Sequence, residues 1–90
     1  MTYSLQVTSV LNNIQSLVEK ALNVDTQLSY GVLQFPANNG QYVLNKQNPT
    51  QQLWLSSPVS GPSHFDLVDG KFKRNGVEIS DLLKRELGIE

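Results

Sequence analysis

The chain of 90 residues contains no cysteine and a single histidine, His64. Without cysteine the chain has no disulfide framework, thiolate nucleophile, zinc-finger spacing or cysteine-ligated cluster. One histidine excludes a metal site built from several imidazoles. A formal net charge of −1 argues against nucleic acid as a partner, since a nucleic-acid-binding domain needs a basic stripe or patch. The chemistry that remains is that of oxygen ligands, amides and hydrophobic contacts.

The sequence also lacks a recognisable targeting segment or membrane span. The first thirty residues contain no arginine and one lysine, Lys20, and this fits neither a secretory n-region nor an Arg-rich transit peptide. No apolar run approaches the roughly 20 residues that a transmembrane helix needs. We therefore expect no membrane partner. The length fits one domain, residues 1–90, with a single hydrophobic core.

Amides are as numerous as charges in this chain. Asn and Gln total 16, against 15 charged residues. Acids are scarce early in the sequence, where Glu19 and Asp25 are the only two among the first 65 residues. Because a tight site for a hard cation needs several oxygen ligands at loop spacing, the sequence predicts no dedicated metal site.

Hydrophobic periodicity predicts a helix, then a run of strands, then a second helix. Apolar residues between Val7 and Leu22 recur at intervals of three and four, which indicates an amphipathic helix of about 18–20 residues. Thr2 or Ser4 is suited to cap it. Alternating segments bounded by turn residues then predict strands at 28–36, 41–47, 51–57, 63–68 and 71–74. Ile79 and Leu87 belong to a short apolar stripe typical of a C-terminal helix.

Short connections between these strands imply antiparallel pairing, since parallel strands need crossovers of a dozen residues or more. Pro58 and Pro62 bracket a Pro-Val-Ser-Gly-Pro loop that a central strand would not tolerate. Two amphipathic helices make an α+β fold, a two-layer α/β sandwich with the N- and C-terminal helices packed on one face of the sheet. The other face of the sheet is left open to solvent or to a partner.

The residues offer no complete catalytic constellation. Serines at 56, 57, 60 and 63 lie near His64 in sequence, but adjacency does not supply the orienting group and oxyanion hole of a triad. The glycines are scattered, and none has phosphate-loop spacing. The pattern favours a binding protein.

Trp54 is the strongest candidate for a contact residue. It lies between Leu53 and Leu55, so strand alternation places it on the opposite face from them. If both leucines pack under the helices, Trp54 faces outward; the reverse register would bury Trp54 and expose two leucines, at a greater loss of hydrophobic burial. The outward register surrounds Trp54 with uncharged hydrogen-bonding side chains, namely Asn45, Gln47 and Gln52. Such a surface is either a partner-binding site or a set of solvated strand residues.

Several stretches of the sequence closely resemble the frataxin family. They are Tyr42-Val43-Leu44-Asn45-Lys46-Gln47-Asn48-Pro49, Gln52-Leu53-Trp54-Leu55-Ser56-Ser57-Pro58, Ser60-Gly61-Pro62 and Phe65-Asp66. The Asn-Lys-Gln and Ser-Ser-Pro variants are similar to mitochondrial and alphaproteobacterial members. The resemblance implies two helices on a five- to six-stranded antiparallel sheet, in agreement with the order of elements above.

The resemblance also implies a function in iron–sulfur cluster assembly and iron homeostasis. Such a protein binds the complex of cysteine desulfurase and iron–sulfur scaffold protein, modulates sulfur transfer, and binds Fe²⁺ or Fe³⁺ weakly without a tightly bound cofactor. The alternative is an iron chaperone or ferroxidase that acts through surface carboxylates, so the resemblance leaves the question of an enzyme open. We expect a monomer in the absence of iron, in the mitochondrial matrix or mitosome of a eukaryote or the cytoplasm of a bacterium.

Carried over by position, the resemblance places the partner-binding surface on the sheet. The matching residues are Asn45, Gln47, Gln52, Trp54, Pro58, Gly61, Pro62 and His64. His64 stands where animal members carry arginine. The family's acidic ridge on the first helix and strand is represented only by Glu19 and Asp25, because Asn, Gln and Ser fill much of the polar helix face. Since attraction to a cation grows with the number of nearby carboxylates, we expect weak iron binding there.

Overall fold

The computed structural model describes residues 2–89, which form two helices and a seven-stranded antiparallel sheet. The elements are α1 (Tyr3–Leu22), β1 (Gln27–Ser29), β2 (Val32–Ala37), β3 (Gly40–Gln47), β4 (Gln52–Ser57), β5 (Gly61–Val68), β6 (Lys71–Arg74), β7 (Val77–Glu78) and α2 (Ile79–Leu87). Each strand pairs with the next one along the chain, so the order in the sheet is the order in the sequence. The predicted α+β sandwich is confirmed.

The sheet has more strands than the five to six expected. The predicted strand at 28–36 is two strands, β1 and β2, because the chain reverses at Tyr30 and Gly31, whose φ angles are 52° and 76°. The apolar pattern continues across this turn and conceals it. The other added strand, β7, is only two residues long and pairs with the end of β6, which is too short a segment to show a periodic pattern.

Both helices begin and end at residues suited to those positions. The Thr2 hydroxyl accepts a hydrogen bond from the Leu5 N–H at the start of α1, which selects Thr2 over the alternative cap, Ser4. Glu78 caps α2 by accepting from the Ser80 N–H at 3.1 Å, and Gly88 ends that helix with φ of 70°. Neither helix in residues 2–89 is long and apolar enough to cross a membrane.

One hydrophobic core lies between the helices and the sheet. α1 contributes a buried stripe at the predicted spacing, and each long strand contributes alternate residues. The buried hydrophobic residues are Tyr3, Val7, Leu11, Ile14, Val18, Leu33, Phe35, Tyr42, Leu44, Leu53, Leu55, Phe65, Phe72, Ile79 and Leu83. Because these residues fix one side of every central strand inward, the intervening residues of the strands must face outward.

The loop predicted between Pro58 and Pro62 is shorter than expected. β5 begins at Gly61, so Pro62 lies within a strand, opposite Ser56 of β4. In the described part of the chain, β6 pairs with β5 only from Asp66 onward. The first half of β5 is therefore a sheet edge on that side, and a residue without an N–H is tolerated there.

Candidate functional site

The open face of the sheet carries three cross-strand rows of side chains from β3, β4 and β5. The rows are Val43–Ser56–Pro62, Asn45–Trp54–His64 and Gln47–Gln52–Asp66, and together they are called the central face below. Leu53 and Leu55 are 0% and 2% exposed, so Trp54 between them points away from the core. The outward register of Trp54 is thus the one that the fold adopts.

Trp54 is held in one orientation by its neighbours. Its indole N–H donates to Gln52 Oε1 at 2.8 Å, and Gln52 Nε2 in turn donates to Asp66 Oδ1 at 2.8 Å. On the other side the His64 ring stacks on the indole, with ring centroids 4.0 Å apart and planes 7° apart. The indole is half-buried, and these two contacts restrict its side-chain conformation. Such restriction lowers the conformational entropy that a side chain loses when it enters an interface.

A shallow depression beside Trp54 gives the central face its shape. Its lining includes Val43, Asn45, Trp54, Pro62 and His64. An aromatic anchor, an amide and apolar side chains next to one another are typical of protein-contact surfaces, whose cores are poor in charge. The central face is therefore suited to a protein segment and offers no constellation for bond making or breaking.

Pro58 and Gly61 lie at the Pro62 end of the central face. Pro58 is exposed in the connection from β4 to β5, and Gly61 opens β5 opposite Ser57. The Ser57 hydroxyl fixes this connection by accepting from the N–H groups of Val59 and Ser60, at 3.0 and 3.1 Å. The structure thus places six of the eight predicted sheet residues in the rows of the central face, whereas Pro58 and Gly61 lie beyond its end, where Gly61 stands opposite the buried Ser57.

A carboxylate on α2 anchors the same connection from below. Glu86 Oε1 accepts hydrogen bonds from the hydroxyls of Ser57 at 2.6 Å and Tyr42 at 2.8 Å. Burial alone would raise the pKa of Glu86, but hydrogen bonds from Ser57, Ser60 and Tyr42 outweigh it and leave the pKa below its ordinary value. Burial, with the nearby Glu86 carboxylate, raises the pKa of Tyr42. At neutral pH this cluster is an ionised carboxylate held by hydroxyl groups.

Tyr3 anchors the opposite end of the central face. Its hydroxyl donates to the Gln52 carbonyl at 2.5 Å and accepts from the Gln47 N–H at 3.0 Å. Burial raises the pKa of Tyr3, and the hydrogen bond from Gln47 partly offsets that effect. Through this hydroxyl, α1 fixes the backbone of two residues of the central face.

Sequence reasoning missed three residues that shape the site. Asp66 completes the hydrogen-bonded chain to Trp54, and it could have been placed on the face by counting two residues on from His64. Tyr3 and Glu86 act across 29 to 49 residues of sequence, and no local pattern indicates such contacts.

The two candidate iron ligands lie on the segments that adjoin at the start of the sheet. Glu19, in the last turn of α1, accepts a hydrogen bond from the Thr26 hydroxyl at 2.6 Å, and Asp25 is exposed just before β1. Within residues 2–89 there is no group of three or more histidine or acidic side chains that could hold a metal ion. Glu19 and Asp25 would at most form a site with few protein ligands.

Comparison with known proteins decides the family. A family model for the frataxin-like domain matches residues 2–90. The chain belongs to the frataxin family. It is 49% identical over 67 residues to the mitochondrial frataxin homolog of Saccharomyces cerevisiae, a match that covers 70% of this chain and 38% of the relative. It is 50% identical over 50 residues to the mitochondrial frataxin of Caenorhabditis elegans, covering 52% and 37% respectively. The chain spans less than two fifths of the length of these relatives.

Solved frataxin structures share the fold. Trimeric frataxin from the yeast Saccharomyces cerevisiae, complexed with ferrous iron, superposes with a TM-score of 0.81 at 35% identity and covers 92% of this chain and 82% of its own. Another yeast frataxin structure superposes with a TM-score of 0.76 at 38% identity, and the match covers 93% of this chain and 76% of the yeast chain. Frataxin from Psychromonas ingrahamii gives 0.76 at 24% identity, covering 96% and 88%, and this likeness bears on the fold alone.

Proposed function

We propose that this frataxin is an accessory protein of iron–sulfur cluster assembly that binds a cysteine desulfurase–scaffold complex through the central face. The observation that carries the proposal is Trp54, held half-exposed between Gln52 and His64 in the middle of a weakly charged surface. Family membership supports an iron-related role. Because the chain has no cysteine, it has no thiol with which to carry sulfur, and it would act on chemistry performed by its partners.

The mechanism is the immobilisation of a partner segment. The indole of Trp54 supplies a rigid apolar anchor, and Asn45, its cross-strand partner, supplies an amide that both donates and accepts. The Gln52 amide is engaged on its oxygen by Trp54 and on its nitrogen by Asp66, so Gln52 positions the indole. A catalytic loop or scaffold element held by this surface would spend more time in the arrangement that permits sulfur transfer.

Sulfide production by a purified cognate desulfurase–scaffold complex tests the proposal. Trp54→Ala removes the aromatic anchor, and we expect this variant to bind the complex more weakly by about 2 kcal/mol or more. Asn45→Ala should lose less binding free energy. Leu5→Ala is the matched control, because Leu5 is also exposed (59%) but lies on α1, in the other layer. The proposal is wrong if Trp54→Ala and Asn45→Ala, added to the complex, change its rate of sulfide production as much as the unaltered protein does.

A second candidate function, iron delivery or oxidation through carboxylates, is favoured by the yeast relative complexed with ferrous iron. In this chain we propose weak binding at Glu19 and Asp25, since two carboxylates attract a cation less than a dense row does. An anaerobic NMR titration with Fe²⁺ should perturb both residues and saturate only at millimolar metal. Saturation at micromolar Fe²⁺ that is lost in Glu19→Gln would instead favour the second function.

The setting of the proposed function follows the relatives. Both curated relatives are named as mitochondrial proteins, so we propose the mitochondrial matrix for a eukaryotic source and the cytoplasm for a bacterial one. We further propose a monomer in the absence of iron, although one yeast relative is trimeric. Sedimentation with and without Fe²⁺ tests this, and a trimer in metal-free buffer would contradict it.

A further inference from the structure

A concave site adjoins the central face at Pro62 and lies between β5, the turn from β6 to β7, and α2. It occupies the gap left because β6 pairs with only the second half of β5. Phe65, Val77 and Leu82 contribute its apolar lining. The cavity measures about 200 Å³, which is more room than one water molecule needs.

The polar lining of this cavity consists of two arginines together with neutral serine and asparagine side chains. Arg74 ends β6 and Arg85 lies in the last turn of α2, so two arginines line the cavity from separate elements. They are the only two arginines in the sequence. The hydroxyl of Ser63 and the amide of Asn75 complete the polar lining, and among the described residues no acidic side chain lines the cavity. Ser60 lies at the cavity as well, but its side chain is hydrogen-bonded to Glu86. Both arginines of this chain, whose formal net charge is −1, thus line one cavity.

We propose that this cavity binds a small multivalent oxyanion, either a phosphate or a polycarboxylate, between Arg74 and Arg85. A guanidinium group presents its N–H donors in a planar fork that matches both phosphate and carboxylate oxygens. Two forks from different elements, with hydroxyl and amide donors between them, are suited to an anion that has oxygens on more than one side. The proposal is independent of the proposed function, since it requires neither Trp54 nor a protein partner.

Nearby carboxylates set the strength of this binding. Glu86 follows Arg85 in sequence, but its carboxylate is occupied by the hydroxyls of Ser57 and Tyr42. Asp81 lies one turn before Arg85 on α2, at the spacing where a carboxylate competes for a cation on a helix. Asp81→Asn should therefore strengthen anion binding.

The test is an NMR titration of the protein with sodium phosphate and with citrate, with acetate as the monovalent comparison, all at one ionic strength set by sodium chloride. We expect amide shifts confined to residues at or next to the cavity that have an N–H, among them 60, 61, 63, 74–76, 82 and 85, saturating in the low millimolar range and about tenfold weaker with acetate. If only phosphate saturates the shifts, the cavity is a phosphate site; if only citrate does, it is a polycarboxylate site. If both anions saturate the shifts, the cavity is a general oxyanion site.

Matched variants decide whether the arginines are responsible. Arg74→Gln and Arg85→Gln should each weaken binding about tenfold, and Arg85→Lys, which keeps the charge but loses the fork, should fall between Arg85→Gln and the unaltered protein. Lys71→Gln removes the same charge from β6 at a residue outside the cavity and should leave binding unchanged. Equal weakening by Lys71→Gln, or equal shifts with acetate and citrate, would show simple charge screening and overturn the proposal.

Discussion

A single hydroxyl group links the helical layer of this frataxin to its proposed binding surface. Tyr3 is 8% exposed, packs edge-on against Phe72 with ring centroids 6.0 Å apart, and bonds to the backbone of Gln47 and Gln52. The ring and the hydroxyl therefore do different things: the ring fills the core, and the hydroxyl satisfies two backbone groups at the ends of β3 and β4. A substitution that removes only the oxygen separates these two contributions.

Tyr3→Phe should lower the free energy of unfolding by about 1 kcal/mol, because it leaves a partly buried N–H and C=O without their partner while the ring packing stays. Denaturant unfolding measures the loss, and faster hydrogen exchange at the Gln47 amide locates it. Tyr30→Phe is the control, since Tyr30 is fully exposed at the turn between β1 and β2 and its hydroxyl should contribute nothing. Equal stability of the unaltered protein and Tyr3→Phe would show that water replaces the hydroxyl without loss.

At the scale of elements, periodicity predicted those parts of the fold that bury alternate or helically spaced residues. α1, β3, β4, β5 and β6 all have such patterns, and the structure contains them close to the predicted bounds. The turn at Tyr30 was not predicted, because tyrosine at positive φ is uncommon and apolar residues continue on both sides. β7 was not predicted because it owes its pairing to the position of β6.

The candidate site likewise has a part that periodicity predicted and a part that it did not. Alternation within strands placed Asn45, Gln47, Gln52 and Trp54 on one face without knowledge of the register. The hydrogen-bonded chain from Trp54 to Asp66, and the stacking on His64, could not be predicted in this way, since both depend on which residues of β4 and β5 stand opposite one another. Sequence thus predicted part of the central face, without Asp66, and the contacts that hold Trp54 in place are seen only in the structure.

Contacts between the two connections at one end of the sheet offer an element-scale test. A Cβ atom added at Gly40 would lie 2.6 Å from Pro58 Cβ, closer than real atoms approach, so β3 and the turn after β4 fit together only because residue 40 has no side chain. Gly40→Ala should destabilise the protein by about 1–3 kcal/mol through overpacking and displace Pro58.

The double variant makes this prediction specific. Pro58→Gly removes the ring atoms that the added methyl group would meet, so Gly40→Ala should be much less destabilising in the Pro58→Gly background than alone. Equilibrium unfolding of the four proteins in the cycle measures the coupling. Additive effects would show that residue 40 acts through its backbone conformation alone and not through contact with Pro58.

At the scale of the whole molecule, the helical layer and the sheet are joined by hydrogen bonds of ionisable side chains. One of these side chains changes its charge at acid pH and the others at alkaline pH. Glu86 on α2 bonds to Ser57 and Tyr42 in the sheet, and its pKa lies below the ordinary value of 4.5 because those hydrogen bonds outweigh burial. Tyr3 and Tyr42 bond across the layers in their neutral forms, and burial raises the pKa of each above the ordinary value of 10.0. Ionised Glu86 and un-ionised tyrosines are therefore the forms that the fold favours.

The stability of the protein should consequently be highest in a broad range around neutral pH and fall at both ends. A carboxylate with a lowered pKa stabilises the fold above pH 4.5, and this contribution is lost as the pH falls through the folded-state value. Tyrosines with raised pKa values stabilise it below pH 10, and that contribution is lost as the pH rises through theirs.

Thermal unfolding of single variants between pH 3 and pH 11 tests both predictions, namely the loss of stability at low pH (the acid limb) and the loss at high pH (the alkaline limb). Glu86→Gln should lower stability by about 1 kcal/mol at pH 7, where a charged acceptor is replaced by a neutral one, and should flatten the acid limb. Asp69→Asn, which removes an exposed carboxylate from the turn after β5, should leave the stability at pH 7 unchanged. Tyr3→Phe should flatten part of the alkaline limb and leave the acid limb as it was. If Glu86→Gln instead lowers stability equally at pH 3 and pH 7, the carboxylate acts through shape and not charge, and the layers are joined by packing alone at this end of the sheet.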